Sequence, residues 1–147
     1  MTGVPQGVEI ELPTAADTEA LGERLADGLA AGDLVVLTGP LGAGKTVFVR
    51  GLARGLGVTG VVTSPTFVIA REHRPGRDGG VALVHVDAYR LGGAAELDDL
   101  DLDTDLAEAV LAVEWGEGVA ERLAARHIAV RLDRRPDDVR TAVVTRG

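Results

Sequence analysis

Apolar positions along this chain change their spacing several times, and the changes divide it into strands and helices. Val8, Ile10 and Leu12 alternate with polar neighbours, which predicts a short strand over 8–12. Pro13 and Thr14 then interrupt. Thr14 stands where a helix cap belongs, with Asp17 at the third helical position. Leu21, Leu25 and Leu29 recur at helical spacing, so an amphipathic helix is predicted over 15–30, closed by the turn at Gly32. Leu34 to Thr38 is continuously apolar, as in a strand covered on both faces. After a glycine-rich stretch, Thr46 to Leu56 predicts a second helix with Val47, Val49, Leu52 and Ala53 as apolar positions and Gly57 as its stop.

The second half is read less regularly. Val61 to Ala70 is apolar and β-branched but broken at Ser64-Pro65, so it reads as a loop passing into a strand over 67–71. Arg74-Pro75-Gly76-Arg77-Asp78-Gly79-Gly80 is turn chemistry and predicts a hairpin into a strand over 81–86. Residues 92–108 are acidic and partly helical in pattern, Val110 to Val113 is another buried strand, and a helix follows over 119–126. His127–Leu132 and Thr141–Thr145 close the chain as two strands around Arg134-Arg135-Pro136-Asp137-Asp138. No repeat or linker divides the sequence, which reads as one domain over 1–147 with 1–7 a flexible tail. Strands alternate with helices early and pair as hairpins later, so the expected architecture is an α/β sandwich with a mixed sheet.

Composition removes several uses for such a fold. Of 147 residues, 46% are hydrophobic. No apolar run nears the roughly 18 residues of a membrane helix, and the N-terminus lacks the layout of a signal peptide. A cytoplasmic protein without membrane contact is expected. There is no Cys, hence no disulfide, thiolate zinc site or thiol nucleophile, and His73, His85 and His127 are too scattered to bind zinc. The formal charge of -8 argues against gripping nucleic acid directly, and one Trp, one Tyr and two Phe are too few for a base-stacking platform. Asn is absent and Gln6 lies in the tail, which removes the Asn-Lys-x-Asp guanine motif and a Ras-like catalytic glutamine. Of the 15 Lys and Arg residues only Lys45 is lysine, and Ser64, Tyr89 and Trp115 are also the sole residues of their types. A bias toward Arg over Lys accounts for most positions and makes each exception informative.

Gly39-Pro40-Leu41-Gly42-Ala43-Gly44-Lys45-Thr46 fits the phosphate-loop pattern G-x-x-x-x-G-K-S/T, between a buried strand and a helix. Glycines let successive N–H groups turn inward toward phosphate oxygens, and the helix start adds partial positive charge. Lys45 is expected to reach the β- and γ-phosphates and the Thr46 hydroxyl to bind Mg²⁺. The nucleotide contacts expected are Gly39, Leu41, Gly42, Ala43, Gly44, Lys45, Thr46 and Val47. The lone lysine falls where this motif needs a compact ammonium in place of a forked guanidinium.

Two carboxylates follow apolar strands. Val81 to Asp87 has the form of a Walker B strand, and Leu111-Ala112-Val113-Glu114 repeats it. Ligands of open α/β sheets sit outside the carboxyl ends of strands, so Asp87 and Glu114 are candidate catalytic and metal-binding groups, with the directly coordinating one left open. Thr63-Ser64-Pro65-Thr66-Phe67 lies after the phosphate-loop helix, where a switch segment senses the γ-phosphate, and Thr66 is its candidate hydroxyl. Trp115 follows Glu114 among Gly116, Glu117 and Gly118, a setting unlike a core, and is a candidate for a partner- or substrate-facing loop. Asp99, Asp101, Asp103 and Asp105 fail the calcium-loop pattern, since Thr104 takes its glycine position. Arg71, Arg74 and Arg77, and Arg131, Arg134 and Arg135, are two small basic clusters of the kind usually solvated, with contact to RNA held by a partner as the alternative. These residues leave open an ATPase, a small-molecule kinase and a nucleotide-controlled binding module. A strand and a helix ahead of the loop count against the kinase, which usually begins near its phosphate loop.

In order and spacing, Gly39–Thr46, Ser64-Pro65-Thr66-Phe67, His85-Val86-Asp87-Ala88-Tyr89-Arg90-Leu91 and Val113-Glu114-Trp115-Gly116-Glu117 resemble the TsaE family. The likeness runs from about Val8 to the end. It implies a three-layer sandwich of the P-loop NTPase kind whose mixed sheet carries an antiparallel addition. It also implies a cytoplasmic ATPase, using ATP and Mg²⁺, slow alone and stimulated by its partners. Those partners are the TsaB and TsaD proteins, which modify adenosine 37 of tRNAs reading A-starting codons; tRNA is met only through them. On this likeness Lys45, Asp87 and Glu114 are catalytic, Thr46, Glu114 and Asp87 lie near the metal, and Thr66 is switch-like. Trp115, Tyr89 and Arg90 belong to a functional or partner-facing loop.

Overall fold

The alternating segment near the N-terminus forms β1 (Glu9–Leu12). The structure, a computed structural model, describes residues 7–39, 44–58, 70–73, 81–87, 109–114, 127–137 and 139–146. Thr14 caps α1 (Ala15–Ala26): its Oγ1 accepts the Asp17 backbone N–H at 3.3 Å, and Asp17 Oδ2 accepts the Thr14 N–H at 2.9 Å. This reciprocal box satisfies donors that a helix start otherwise leaves open. Thr14→Ala is expected to cost about 1 kcal/mol, which lowers the melting midpoint by about 3 °C in a chain of this size. Thermal unfolding checks this, and Thr14→Ser should restore most of the loss.

α1 stops at Ala26, short of the expected limit at 30. The N–H groups of Gly28 and Leu29 turn back to the carbonyls of Leu25 and Ala26, and Asp33 Oδ2 accepts the Ala30 N–H at 2.8 Å. Asp27, Gly28 and Asp33 thus favour a tightened turn over another helical one. Leu29 still packs against the core from this turn, so its spacing gave the right side and the wrong conformation.

β2 (Leu34–Thr38) and α2 (Lys45–Leu56) follow, the latter stopped by Gly57 at φ 73°. The remaining strands are β3 (Ala70–His73), β4 (Ala82–Asp87), β5 (Ala109–Glu114), β6 (Ile128–Arg134) and β7 (Arg140–Arg146). They form one sheet in the order β1-β7-β6-β2-β5-β4-β3. β2 runs parallel to both β5 and β6, and β4 runs parallel to β5. β3 pairs antiparallel with β4, and β7 and β1 extend the far edge antiparallel. The mixed sheet with an antiparallel addition is therefore present, with additions at both edges. The β3–β4 pairing is the expected hairpin, although its turn over 74–80 lies outside the described residues.

One face of the sheet is covered by both helices. Leu21 and Leu25 of α1 and Phe48 and Leu52 of α2 join Val35, Leu37, Leu83, Val110 and Val130 in a single buried cluster. The helices cross closely: a methyl group on Gly51 would lie 1.9 Å from the Glu19 carbonyl oxygen, and one on Gly22 would lie 2.2 Å from that of Phe48. Arg54 and Glu19 form an ion pair across the same crossing. Leu34, Val36, Val84, Leu111 and Val113 alternate onto the other face and are buried too. The helix expected over 119–126, and the acidic segment 92–108, lie outside the described residues. No helix among the described residues is long and apolar enough to cross a membrane.

Candidate phosphate-binding site

β2 carries the chain from the buried centre of the sheet to Gly39, and the chain re-enters at Gly44, where α2 begins. Gly39 and Gly44 have φ of 143° and 105°, conformations that strain any residue with a Cβ. Between them Pro40, Leu41, Gly42 and Ala43 lie outside the described residues. Gly44 is the N-cap of α2 and supplies no side-chain hydrogen bond, and the first turn holds no acidic residue. The two helices therefore differ. Thr14 and Asp17 close the start of α1, whereas the start of α2 has no capping side chain among the described residues to match its partial positive charge.

Lys45, the first residue of α2, doubles back across this opening. Its Nζ donates to the Gly39 carbonyl oxygen at 2.7 Å, and the residue is only 6% exposed. Thr46 and Val47 are half-buried in the same turn. Behind the loop, Thr18 of α1 abuts Gly44, where an added Cβ would meet the Thr18 methyl at 3.3 Å.

The two candidate carboxylates arrive from neighbouring parallel strands. Asp87 ends β4 and Glu114 ends β5, and the register sets them level; Leu37, just ahead of Gly39, is level with Glu114 on its other side. The end of β5, with Glu114, thus lies beside the strand that feeds the phosphate loop, and the end of β4, with Asp87, lies one strand further out. This is the crevice outside the carboxyl ends of parallel strands, at the point where β5 and β6 flank β2. Thr66, Tyr89, Arg90 and Trp115 lie outside the described residues.

One participant, His85, stands in the sequence as too scattered for zinc and as the first residue of the motif His85–Leu91, with no role of its own. His85 of β4 is fully buried, and its Nε2 is hydrogen-bonded to Oε2 of Glu114, itself 5% exposed. Ala112 is level with His85 and is small, which leaves room for the imidazole to lean along the strands toward Glu114. The available signal was a polar residue inside an apolar strand, two positions before a candidate acid.

The family model described as "Threonylcarbamoyl adenosine biosynthesis protein TsaE" matches residues 12–142. The chain is 57% identical over 138 residues to the tRNA threonylcarbamoyladenosine biosynthesis protein TsaE of Mycobacterium tuberculosis H37Rv, covering 90% of this chain and 82% of that protein. It is 58% identical over 130 residues to the protein of the same name from Streptomyces coelicolor, covering 85% of this chain and 87% of the relative. The crystal structure of Bacillus subtilis YdiB superposes with a TM-score of 0.75 at 31% identity, covering 95% of this chain and 84% of that one. With most of its length matched by the family model and by these relatives, the chain belongs to the TsaE family.

Proposed function

We propose that this chain binds ATP and Mg²⁺ and hydrolyses ATP in the cytoplasm, as the single-domain accessory subunit that sustains threonylcarbamoyl transfer by TsaB and TsaD. The acceptor is adenosine 37 of tRNAs reading A-starting codons. Family membership supports the pathway. The start of α2 carries the nucleotide reading: an uncapped helix N-terminus lies beside a buried ammonium that already holds an oxygen atom, that of Gly39, at 2.7 Å. A phosphate oxygen is the same kind of acceptor with more charge, so the residues fit an anion. Thr46, Glu114 and Asp87 offer hydroxyl and carboxylate oxygens, the donor type Mg²⁺ takes together with substrate phosphates.

In this scheme Lys45 and the loop amides hold the β- and γ-phosphates and the charge that develops there. Mg²⁺, when bound, neutralises phosphate charge. Glu114 or Asp87 orients water for in-line attack, Thr66 senses the γ-phosphate, and Trp115, Tyr89 and Arg90 serve the functional loop. Turnover is slow in isolation, because the sequence offers neither an evident arginine finger nor a catalytic glutamine. With a formal charge of -8 the chain leaves tRNA to its partners.

Reconstitution tests the proposal. Purified TsaB, TsaD, tRNA and threonylcarbamoyl donor should modify many equivalents of tRNA only when this chain and ATP are both added. Equal multiple turnover without the chain, or with ATP replaced by ADP, would sink it.

A further inference from the structure

We infer that His85 is a positioning residue that fixes the orientation of the Glu114 carboxylate toward the phosphate loop, an inference that rests on the ATPase reading above. His85 is fully buried between Val84 and Val86, which are themselves buried. A polar ring in such a place is costly unless it is hydrogen-bonded, and its Nε2 finds Glu114 Oε2. Its Nδ1 is buried without a hydrogen-bond partner among the described residues. With the proton on Nε2 the ring donates to Glu114 and leaves Nδ1 as a bare lone pair. With the proton on Nδ1 alone, two lone pairs would face each other and an N–H would be buried unpaired.

Place in the fold separates positioning from mere mutual satisfaction. Glu114 is the last residue of β5, level with Asp87 on one side and with Leu37, just ahead of Gly39, on the other. A carboxylate on a strand end would otherwise swing about its terminal torsion, which is broad and weakly two-fold. Holding Oε2 removes that freedom and commits Oε1 to the metal or water. Hydrogen-bonded supports behind ligating carboxylates typically change metal affinity or activity by about 10- to 100-fold when removed. His85 is thereby not a catalytic residue: it acts through Glu114.

Three variants of the full chain test this: His85→Leu, which keeps bulk and loses the donor; His85→Gln, which keeps a donor near the ε position; and Glu114→Gln. ATP hydrolysis is measured with TsaB and TsaD present, and ADP affinity is measured by calorimetry in Mg²⁺ and in EDTA. His85→Leu is expected to lower kcat by about 10- to 100-fold, with KM for ATP rising by no more than its loss of Mg²⁺-dependent ADP affinity. It should shrink the gain in ADP affinity on adding Mg²⁺ while leaving affinity in EDTA unaltered. His85→Gln should recover most of both, and His85→Leu should add no further loss to Glu114→Gln. A folded His85→Leu with wild-type kcat and Mg²⁺ response overturns the inference, as does a stable His85→Gln as slow as Glu114→Gln. That second comparison decides the matter even if His85→Leu does not fold. A wild-type chain that hydrolyses no ATP overturns the ATPase reading and this inference with it; wild-type hydrolysis with an indifferent His85→Leu overturns this inference alone.

Discussion

Lys45→Ala is expected to abolish measurable ATP hydrolysis while leaving the protein folded. Lys45 is the only lysine of the chain, so no neighbouring ammonium can substitute for it. Its Nζ lies 2.7 Å from the Gly39 carbonyl at the start of α2, the position from which it would meet phosphate oxygens on the function proposed above. A charge-assisted hydrogen bond contributes about 1.5–3 kcal/mol, or about tenfold to a hundredfold in ATP affinity. Losing a donor aimed at developing charge costs about 10²- to 10³-fold in kcat. The two together predict a fall in kcat/KM of at least about a thousandfold. Lys45→Arg separates charge from shape. Lys45 is only 6% exposed, and a forked guanidinium does not follow the path of a compact ammonium, so Arg is expected to rescue little. Phosphate release and ADP calorimetry check both variants against their melting midpoints. Full activity in Lys45→Arg would show that charge alone suffices and would remove the reason for the one lysine in an arginine-biased chain.

Local chemistry made some features legible and long-range geometry concealed others. The apolar run Leu34–Thr38 reads as a strand covered on both faces, and β2 sits at the centre of the sheet with β5 and β6 beside it. Thr14 and Asp17 announce a helix start because the capping box is complete within four residues. Gly39 and the run Gly44-Lys45-Thr46 carry their chemistry in sequence for the same reason: one loop supplies it. The end of α1 is hidden in the sequence because Leu29 has helical spacing whether it sits on a helix or on a turn folded to the same side. The bond between His85 and Glu114 joins two strands, and nothing within either strand specifies it. Neither does either strand reveal that Asp87 and Glu114 stand level, which follows from the parallel pairing of β4 with β5. The glycines of the helix crossing were invisible for another reason. In a chain with 20 glycines, Gly22, Gly51 and Gly55 do not stand out until the helices are in contact.

Those glycines support the second large effect: Gly51→Ala is expected to destabilise the protein strongly although alanine is the better helix former. Helix propensity alone favours alanine over a mid-helix glycine by about 1 kcal/mol. Against this, the new methyl would lie 1.9 Å from the Glu19 carbonyl oxygen and 2.8 Å from its carbon, both backbone atoms that no rotamer change can move. Overpacking a core costs about 1–3 kcal/mol, and more where backbone must shift. Here α1 and α2 would have to separate, loosening Leu21, Leu25, Phe48 and Leu52 from their shared cluster. The backbone clash outweighs propensity, for an expected net loss of about 3 kcal/mol and about 10 °C in melting midpoint. Gly22→Ala, at 2.2 Å from the Phe48 carbonyl oxygen, should cost nearly as much. Gly55→Ala should cost least, since its nearest neighbour at 2.5 Å is the Ala26 methyl, although the Glu23 carbonyl oxygen lies at 2.8 Å. The effect reaches the site as well. α2 begins at Lys45, so a helix pushed away from α1 carries Lys45 and Thr46 with it and changes their position relative to Glu114 at the end of β5. ADP affinity of Gly51→Ala should therefore fall even at a low temperature where the variant remains folded, beyond what its unfolded fraction explains. Urea unfolding with ADP calorimetry at about 10 °C, near the usual temperature of maximum stability, reads both quantities. A neutral or stabilised Gly51→Ala would mean that propensity prevails and that the helices do not cross with their backbones in contact.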